Sequence, residues 1–470
     1  MIYSEDVELQ AIIERVYKHE QGHIFRFYDQ LDEQQQIDLL SQADLIDFRL
    51  LSRLIEQAAT RKEDKYEGNL VPPEVITLAQ REEKDEEARQ VGEAALAAGD
   101  VAAVLVAGGQ GTRLGFNGPK GMYPVTPIMQ KSLFQLHAEK LLSIGKKLGV
   151  QIPWYIMTSV TNNKETIRSF QKHNHFGYNP ENIFVFIQEM VPAIDRQGKM
   201  ILDQPDHIFM SPNGHGGTIK ALSDSGALSD MEERGVEHLF YFQVDNVLTR
   251  ICDPIYLGYH VLGDSEMSCK VVHKKYAGEK IGVLCLIDGH LHLIEYSDLS
   301  EKDMNAINKD GSMKLWAGNI ATHIFDRQFL ERENEGGFKL PYHIAEKSIA
   351  YINEKGQKVN PDNKNGIKFE TFVFDALVDA NRTVCLEVER DKEFSPLKNS
   401  EGENSPETVR RALNKNYARW LTEAGYKIPV NKEGDPAFDI EISPLVSLFG
   451  ENLKEMDLKI TGKEKSMYID

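Results

Sequence analysis

The stretch VAAVLVAGGQGTRLG, residues 101–115, decides the fold class of this sequence. Its first seven residues are small and apolar, which is typical of a strand buried on both faces of a sheet. A loop with four glycines follows. Glycine lets backbone N–H groups approach a ligand closely, and open α/β proteins bind ligands beyond the carboxyl ends of their strands. The stretch therefore predicts an α/β protein with a ligand-binding loop directly after this strand.

The sequence on either side of this strand divides into three predicted parts. Residues 1–98 are helical and charged, with apolar residues at helical spacing from Leu9 to Val16. Residues 99–400 alternate strand-like apolar runs with helices, and residues 401–470 mix a helix with short strands and turns. We therefore predict a helical N-terminal region, a central α/β domain and a small C-terminal domain.

Two local patterns inside the central part predict particular structures. Asn162 followed by Glu165 is typical of the capped start of a helix. Asp288-Gly289 lies between two apolar runs, which is a strong signal for a β-hairpin.

Charge and composition disfavour several classes of partner. The net charge of −19 disfavours nucleic acid and anionic membranes, since both attract basic surfaces. No apolar run reaches the roughly 18 residues of a membrane span, and the charged N-terminus does not resemble a signal peptide. The cysteines, Cys252, Cys269, Cys285 and Cys385, form no CxxC pair. We expect reduced, mostly buried thiols in a cytoplasmic protein.

Three nucleotide-binding motifs compete for the glycine loop. A P-loop needs GxxxxGK followed by Ser or Thr, and neither glycine stretch contains it. A dinucleotide fingerprint needs GxGxxG, but counting from Gly109 the third position is Leu114. The third pattern, GGxGTRL with a downstream Pro-Lys, fits in full, from Gly108 to Leu114 and then Pro119-Lys120. This pattern is that of sugar nucleotidyltransferases.

Beyond this loop, the sequence resembles the UDP-N-acetylglucosamine pyrophosphorylase branch of the UDP-sugar pyrophosphorylase (uridylyltransferase) family over nearly its full length. The blocks that carry the resemblance occur in the family's order: AGGQGTRLG, PKGMYPV, WYIMTS, FQVDNVL, IEYSDLS, AGNIATHIF, NGIKFETFVFD, EFSPLKN and EISPLVSLFG. The resemblance implies a Rossmann-like mixed-sheet core of the GT-A-like nucleotidyltransferase type.

The implied reaction transfers uridylate from UTP to a sugar-1-phosphate, with N-acetylglucosamine-1-phosphate as the best match, and releases pyrophosphate in a single in-line displacement. The attacking phosphate is already an anion, so no activated Ser or Cys is required. Catalysis then consists of positioning and of neutralising charge on the leaving group. The implied cofactor is Mg²⁺. The implied partners are UTP and the sugar-1-phosphate, with no nucleic acid or membrane, and the sequence does not indicate an oligomeric state.

The resemblance also assigns roles to individual residues. The residues implied in catalysis are Arg113, Lys120 and Lys398. Those implied in UTP binding are Val106, Ala107, Gly108, Gly109, Lys120, Gln188, Gly214, Asp245 and Lys368. Those implied in sugar binding are His215, Gly282, Glu295, Asn319 and Lys398. Asp245 is the implied metal ligand, since a carboxylate at a strand end beside phosphates suits Mg²⁺.

Three alternatives to this prediction stay open. His215 occupies a position where the acetylglucosamine enzymes usually carry Asn and UDP-glucose pyrophosphorylases usually carry His. Glucose-1-phosphate, galactose-1-phosphate or broad specificity is therefore the runner-up. A non-catalytic UDP-sugar sensor is a second alternative, but it would be expected to lose Lys120, Asp245 or Lys398. A dinucleotide-dependent oxidoreductase is disfavoured by the broken GxGxxG motif.

Overall fold

The structure, a computed structural model, describes residues 2–60, 69–460 and 464–470. The chain folds as two compact units, and each unit is assembled from segments that are separate in sequence. The smaller unit comprises Met1–Lys65, Gln188–Gly217 and Lys339–Asp375. The larger unit comprises Tyr66–Ile187, Thr218–Phe338 and Ala376–Asp470. The three consecutive domains expected from the sequence stay a prediction.

A nine-stranded mixed sheet forms the centre of the larger unit. Its strands in chain order are β1 Val101–Val106, β2 Trp154–Thr158, β3 Ile183–Ile187, β4 His238–Gln243, β5 Met267–His273, β6 Val283–Ile287, β7 His290–Ile294, β8 Ala317–Asp326 and β9 Thr383–Glu387. The order across the sheet is β7-β6-β8-β4-β1-β2-β3, and β5 pairs with both β8 and β9. Strands β4, β1, β2 and β3 are parallel, whereas β8 runs antiparallel to β4, β5 and β6. The predicted α/β fold with a mixed sheet is confirmed.

Helices cover this sheet and build much of the smaller unit. Their bounds are Val7–Lys18, Glu33–Asp44, Phe48–Thr60, Leu78–Arg81, Asp85–Ala98, Leu133–Leu148, Asn163–Lys172, Gly217–Asp224, Ala227–Glu233, Pro254–Leu262, Glu301–Met304, Arg327–Asn334, Arg390–Glu393 and Pro406–Glu423. Helices Asp85–Ala98 and Pro254–Leu262 cross so closely that a Cβ on Gly92 would lie 1.9 Å from the Pro254 carbonyl oxygen. This contact fixes the start of the second helix, where Asp253 is the N-cap.

Short strands complete the two units. In the smaller unit, His343–Lys347, Gly366–Glu370 and Ile194–Asp195 form a three-stranded antiparallel sheet. The remaining antiparallel pairs of the smaller unit are Met190–Pro192 with Met210–Pro212, Leu202–Gln204 with His207–Ile208, and Tyr351–Ile352 with Lys358–Val359. In the larger unit, the C-terminal strands Asp439–Ile442 and Ser466–Ile469 pair in parallel.

The structure bears out most of the local predictions. Asp288 and Gly289 have φ values of 51° and 87° and join β6 to β7, as expected for this hairpin turn. Asn162 does precede helix Asn163–Lys172, but its side chain makes no capping hydrogen bond. The four cysteines are free and buried, as predicted. Within the described ranges, no helix is long and apolar enough to cross a membrane.

Candidate active site

The glycine loop leaves the sheet at the carboxyl ends of three parallel strands. Strand β1 ends at Val106, with β2 on one side and β4 on the other. The N–H of Ala107 donates to the carbonyl oxygen of Met157 at 2.8 Å, and the N–H of Val244 donates to that of Val106 at 3.1 Å. The loop therefore occupies the edge where α/β proteins bind their ligands, as the sequence predicted.

Two side chains that follow β2 hold the loop through its carbonyl oxygens. Asn162 Nδ2 donates to the carbonyl oxygens of Ala107 at 2.8 Å and Gly109 at 3.2 Å. Ser159 Oγ donates to the carbonyl oxygen of Gly108 at 2.8 Å. Both side chains are buried. Sequence reasoning missed both residues, although their position at the end of β2 places them at the same edge as the loop.

The loop's backbone donors are left available. Among the described residues, nothing accepts a hydrogen bond from the N–H groups of residues 108–110. A Cβ added at Gly109 would have no atom within 4 Å, so the loop is open on that side. Consecutive free N–H groups in an open loop form a concave binding site for anions such as phosphate.

Lys120 and Asp245 form an ion pair beside this loop. The N–H of Lys120 donates to the carbonyl oxygen of Gly109 at 3.0 Å, and its Nζ lies 3.0 Å from Asp245 Oδ2. Asp245 lies two residues beyond the end of β4, rather than on the strand itself. Burial alone would raise the pKa of Asp245, but the charges of Lys120 and Lys398 outweigh it and lower that pKa. Asp245 is therefore an anion, paired with the Lys120 ammonium and stabilised by the charge of Lys398.

The segment that carries Lys398 is bound to the same turn. The N–H of Leu397 donates to the carbonyl oxygen of Asp245 at 2.9 Å. The structure thus brings together Lys120, Asp245 and Lys398 from three distant parts of the sequence. Arg113 lies on the exposed turn Thr112–Leu114. The roles of these residues toward a ligand stay predictions.

Three of the four residues expected to bind sugar in the larger unit, Gly282, Glu295 and Asn319, also lie together. The N–H of Asn319 donates to the carbonyl oxygen of Gly282 at 2.9 Å. A Cβ on Gly282 would lie 3.4 Å from Glu295 Oε1. Asn319 Oδ1 accepts from the N–H of Ala321 at 3.3 Å, and Ala321 has a φ of 54° within a β-bulge between β5 and β8. Asn319 thus lies beside Gly282 at the edge of this bulge.

Two predicted ligand residues of the smaller unit belong to one tight turn. Gly214 has a φ of 84°, and a Cβ there would lie 2.3 Å from the carbonyl oxygen of Thr371. Only glycine fits this approach. His215 Nδ1 accepts from the N–H of Val373 at 3.2 Å, and its ring stacks on Phe372 with 5.4 Å between centroids. These contacts within the smaller unit fix the orientation of the His215 ring.

The other two residues of the smaller unit, Gln188 and Lys368, occupy different settings. Gln188 is buried just before the strand Met190–Pro192. Lys368 lies on the strand Gly366–Glu370 with its Nζ 4.8 Å from the centre of the Phe209 ring. Burial lowers the pKa of Lys368, although Glu370 acts in the opposite direction. The predicted contacts of both residues with UTP stay predictions.

The protein groups at this site fit Mg²⁺ only if a bound phosphate supplies further oxygen ligands. Across residues 2–60, 69–460 and 464–470, no group of three or more His, Cys, Asp or Glu side chains is arranged to hold a metal ion. Asp245 supplies one carboxylate at the loop. Mg²⁺ in phosphoryl-transfer sites is commonly held by one or two carboxylates together with substrate phosphates. The site therefore fits Mg²⁺ that arrives with a phosphate ligand.

Comparison with known proteins agrees with this geometry. The family described as UTP–glucose-1-phosphate uridylyltransferase matches residues 48–448. The chain belongs to this uridylyltransferase family. A human relative, UDP-N-acetylhexosamine pyrophosphorylase-like protein 1, is 38% identical over 480 residues, which is 95% of this chain and 94% of the relative. The Saccharomyces cerevisiae UDP-N-acetylglucosamine pyrophosphorylase is 38% identical and covers 94% of this chain and 95% of its own.

A solved uridylyltransferase structure shares the fold. The crystal structure of the uridine diphosphate N-acetylglucosamine pyrophosphorylase from Trypanosoma brucei, in complex with an inhibitor, aligns with a TM-score of 0.84 at 24% identity. It covers 100% of this chain and 99% of that chain. The nucleotidyltransferase-type fold implied by the resemblance is confirmed.

Asn162 provides a direct test of how this loop is held. Replacing Asn162 with Ala removes two hydrogen bonds to the carbonyl oxygens of the loop, so we expect the KM for UTP to rise about tenfold, the scale of losing one or two neutral hydrogen bonds. Steady-state kinetics with varied UTP measures this. Asn163→Ala is the matched control, since Asn163 Oδ1 accepts from the Thr158 hydroxyl and does not hold the loop. Equal KM values in the two variants would contradict the role of Asn162.

Proposed function

We propose that this uridylyltransferase joins UTP and N-acetylglucosamine-1-phosphate to give UDP-N-acetylglucosamine and pyrophosphate. The observation that carries the proposal is the grouping of Lys120, Asp245 and Lys398 at a glycine loop whose N–H donors are free. Such a site supplies positive charge and oriented hydrogen-bond donors. It suits a reaction in which one phosphate attacks another.

The proposed step breaks one bond and forms one. An oxygen of the sugar phosphate attacks the α-phosphorus of UTP, and the bond from that phosphorus to the bridging β-oxygen breaks, releasing pyrophosphate. The free N–H groups of residues 108–110 and the Lys120 ammonium bind the triphosphate and neutralise the charge that moves to the leaving group. Lys398 holds the sugar phosphate in line.

Asp245 has two tasks in this proposal. It is an anion that pairs with the Lys120 ammonium and is stabilised by the charge of Lys398. It is also the proposed protein ligand of Mg²⁺. When bound, magnesium would screen the charge of the triphosphate. The ion pair with Lys120 places that ammonium where the same phosphates would bind.

The sugar preference rests on two opposing observations. The similar relatives are named for N-acetylglucosamine or N-acetylhexosamine, which supports the acetylated sugar. His215 supports glucose or galactose, the runner-up. We expect kcat/KM for N-acetylglucosamine-1-phosphate to exceed that for glucose-1-phosphate by at least about tenfold, the usual scale for filling a pocket built for an extra group.

A panel of sugar-1-phosphates tests this preference. Pyrophosphate release is measured with UTP, Mg²⁺ and the 1-phosphates of N-acetylglucosamine, N-acetylgalactosamine, glucose and galactose. Higher kcat/KM for glucose or galactose would show that the pocket does not select the acetyl group. If none of the sugar-1-phosphates gives pyrophosphate release, that result would favour the sensor alternative, which the presence of Lys120, Asp245 and Lys398 opposes.

We also propose a cytoplasmic location, supported by the four free cysteines.

A further inference from the structure

Lys270 is a fully buried lysine that the proposed reaction does not use. It lies on β5 at the bulge opposite β8, with 0% of its side chain exposed. Its Nζ lies 2.7 Å from Asp253 Oδ2 and 2.5 Å from Glu393 Oε2. Both carboxylates are buried as well. Burying such an ion cluster is costly, and replacing it with apolar residues often leaves stability unchanged or improved. A gain in stability is therefore a weak explanation for its presence.

The carboxylates of this cluster are anchored at different places. Asp253 is the N-cap of helix Pro254–Leu262, where its Oδ1 accepts from the N–H of Ile255 at 3.2 Å. Burial would raise the pKa of Asp253, but Lys270 and Arg250 lower it, so this carboxylate is charged. Glu393 ends the short helix Arg390–Glu393 and begins the segment that leads to Lys398. Lys270 thus ties this segment to a rigid strand and a rigid helix.

The segment is tied in turn to the turn that carries Asp245. Asn246 Nδ2 donates to the carbonyl oxygen of Glu393 at 2.7 Å, and Asn246 Oδ1 accepts from the N–H of Ser395 at 2.9 Å. One further hydrogen bond joins the N–H of Leu397 to the carbonyl oxygen of Asp245 at 2.9 Å. Three hydrogen bonds therefore hold residues 393–397 alongside the turn that carries Asp245, with Asn246 and Pro396 paired in the antiparallel direction, directly before Lys398.

We propose that Lys270 is a positioning residue for uridylyl transfer, which fixes residues 393–398 through Glu393 and thereby places Lys398 beside the turn that carries Asp245. This proposal rests on the proposed function, because it concerns the placement of a residue in that reaction. Lys270 has no contact with a substrate in this role. Lys270 instead fixes the position of Lys398, and a displacement of about 1 Å in such a positioning group can cost 100-fold in rate.

The test compares Lys270→Met with a matched buried lysine. Lys131 forms an ion pair with Glu139 at 2.7 Å, and both side chains are 7% exposed. Lys131→Met thus also removes a buried ammonium and leaves a carboxylate. We expect Lys270→Met to lower kcat about 10- to 100-fold with KM for UTP within about twofold of wild type. Lys131→Met should also lower thermal stability but keep kcat within about threefold of the wild-type value. Equal losses of kcat in both variants would overturn the proposal.

A double mutant separates positioning from general destabilisation. If Lys270 acts through Lys398, adding Lys270→Met to Lys398→Ala should change kcat by less than about threefold, because the group being positioned is already absent. A multiplicative loss would overturn the proposal.

A second variant keeps the test open if Lys270→Met does not fold. Glu393→Gln preserves the pair between Lys270 and Asp253 and weakens only the link to the segment. The same drop in kcat is expected, and an unchanged kcat would overturn the proposal. A wild-type chain that releases no pyrophosphate with any sugar would contradict the proposed function itself. An active wild type with an active Lys270→Met would contradict only the role of Lys270.

Discussion

Replacing Lys120 with Ala is expected to lower turnover about 1000-fold while leaving the fold intact. The backbone N–H of Lys120 donates to the carbonyl oxygen of Gly109 in the glycine loop, and its ammonium lies 3.0 Å from Asp245 Oδ2. In the proposed reaction it neutralises charge that appears on pyrophosphate as the bond breaks. Removing one preorganised donor of this kind costs about 100- to 1000-fold in other enzymes. The loss should appear mainly in kcat, since the charge develops in the transition state.

The measurement is steady-state pyrophosphate release, with thermal unfolding to confirm the fold. Lys147→Ala is the matched control, because Lys147 also forms an ion pair, with Glu93 at 3.1 Å, but on the surface of helix Leu133–Leu148. The control should keep wild-type kcat. A folded Lys120→Ala variant with near-normal turnover would remove Lys120 from the mechanism.

Replacing Asp245 with Asn is expected to raise the Mg²⁺ concentration needed for half-maximal activity about 100-fold. Even partners that only orient metal ligands contribute about 10- to 100-fold to metal affinity, so loss of the Asp245 carboxylate should cost at least as much. The amide also removes the negative charge that pairs with the Lys120 ammonium. We therefore expect a lower kcat even at saturating Mg²⁺.

Titrating activity with Mg²⁺ at fixed substrate concentrations measures this shift. Asp230→Asn is the control. Its carboxylate pairs with Arg234 at 2.9 Å and accepts from Tyr155 at 2.6 Å, and it has no proposed metal role. An unchanged Mg²⁺ requirement in Asp245→Asn would show that Asp245 is not a metal ligand.

Local features of the fold could be predicted from the sequence because short-range physics determines them. The apolar run 101–106 forms a strand wherever a buried sheet is available. Asp288 and Gly289 form the hairpin turn because both tolerate positive φ. The apolar residues of helix Val7–Lys18 recur at helical spacing, and two residues of that face, Ile13 and Val16, are buried. The resemblance carried by the ordered sequence motifs then predicted that Lys120, Asp245 and Lys398 belong to one site at the glycine loop.

Features that depend on distant residues were not predictable. Asn162 has the sequence pattern of a helix cap, but one of its acceptors in the glycine loop lies 55 residues earlier. The sequence pattern does not show that the side chain bonds to the loop instead of capping the helix. Lys270 and Glu393 are 123 residues apart, and each alone is typical of a solvated surface charge. The interleaved segments of the two units, and the order of nine strands, depend on tertiary packing in the same way.

The most direct test of uridylyl transfer follows the phosphorus atoms of UTP. The chain is incubated with N-acetylglucosamine-1-phosphate, Mg²⁺ and UTP labelled either at the α-phosphate or at the γ-phosphate. We predict that the α-label appears only in the UDP-sugar and the γ-label only in pyrophosphate, in equal amounts. Label from the α-phosphate in free phosphate or pyrophosphate, or no product at all, would contradict attack at the α-phosphorus.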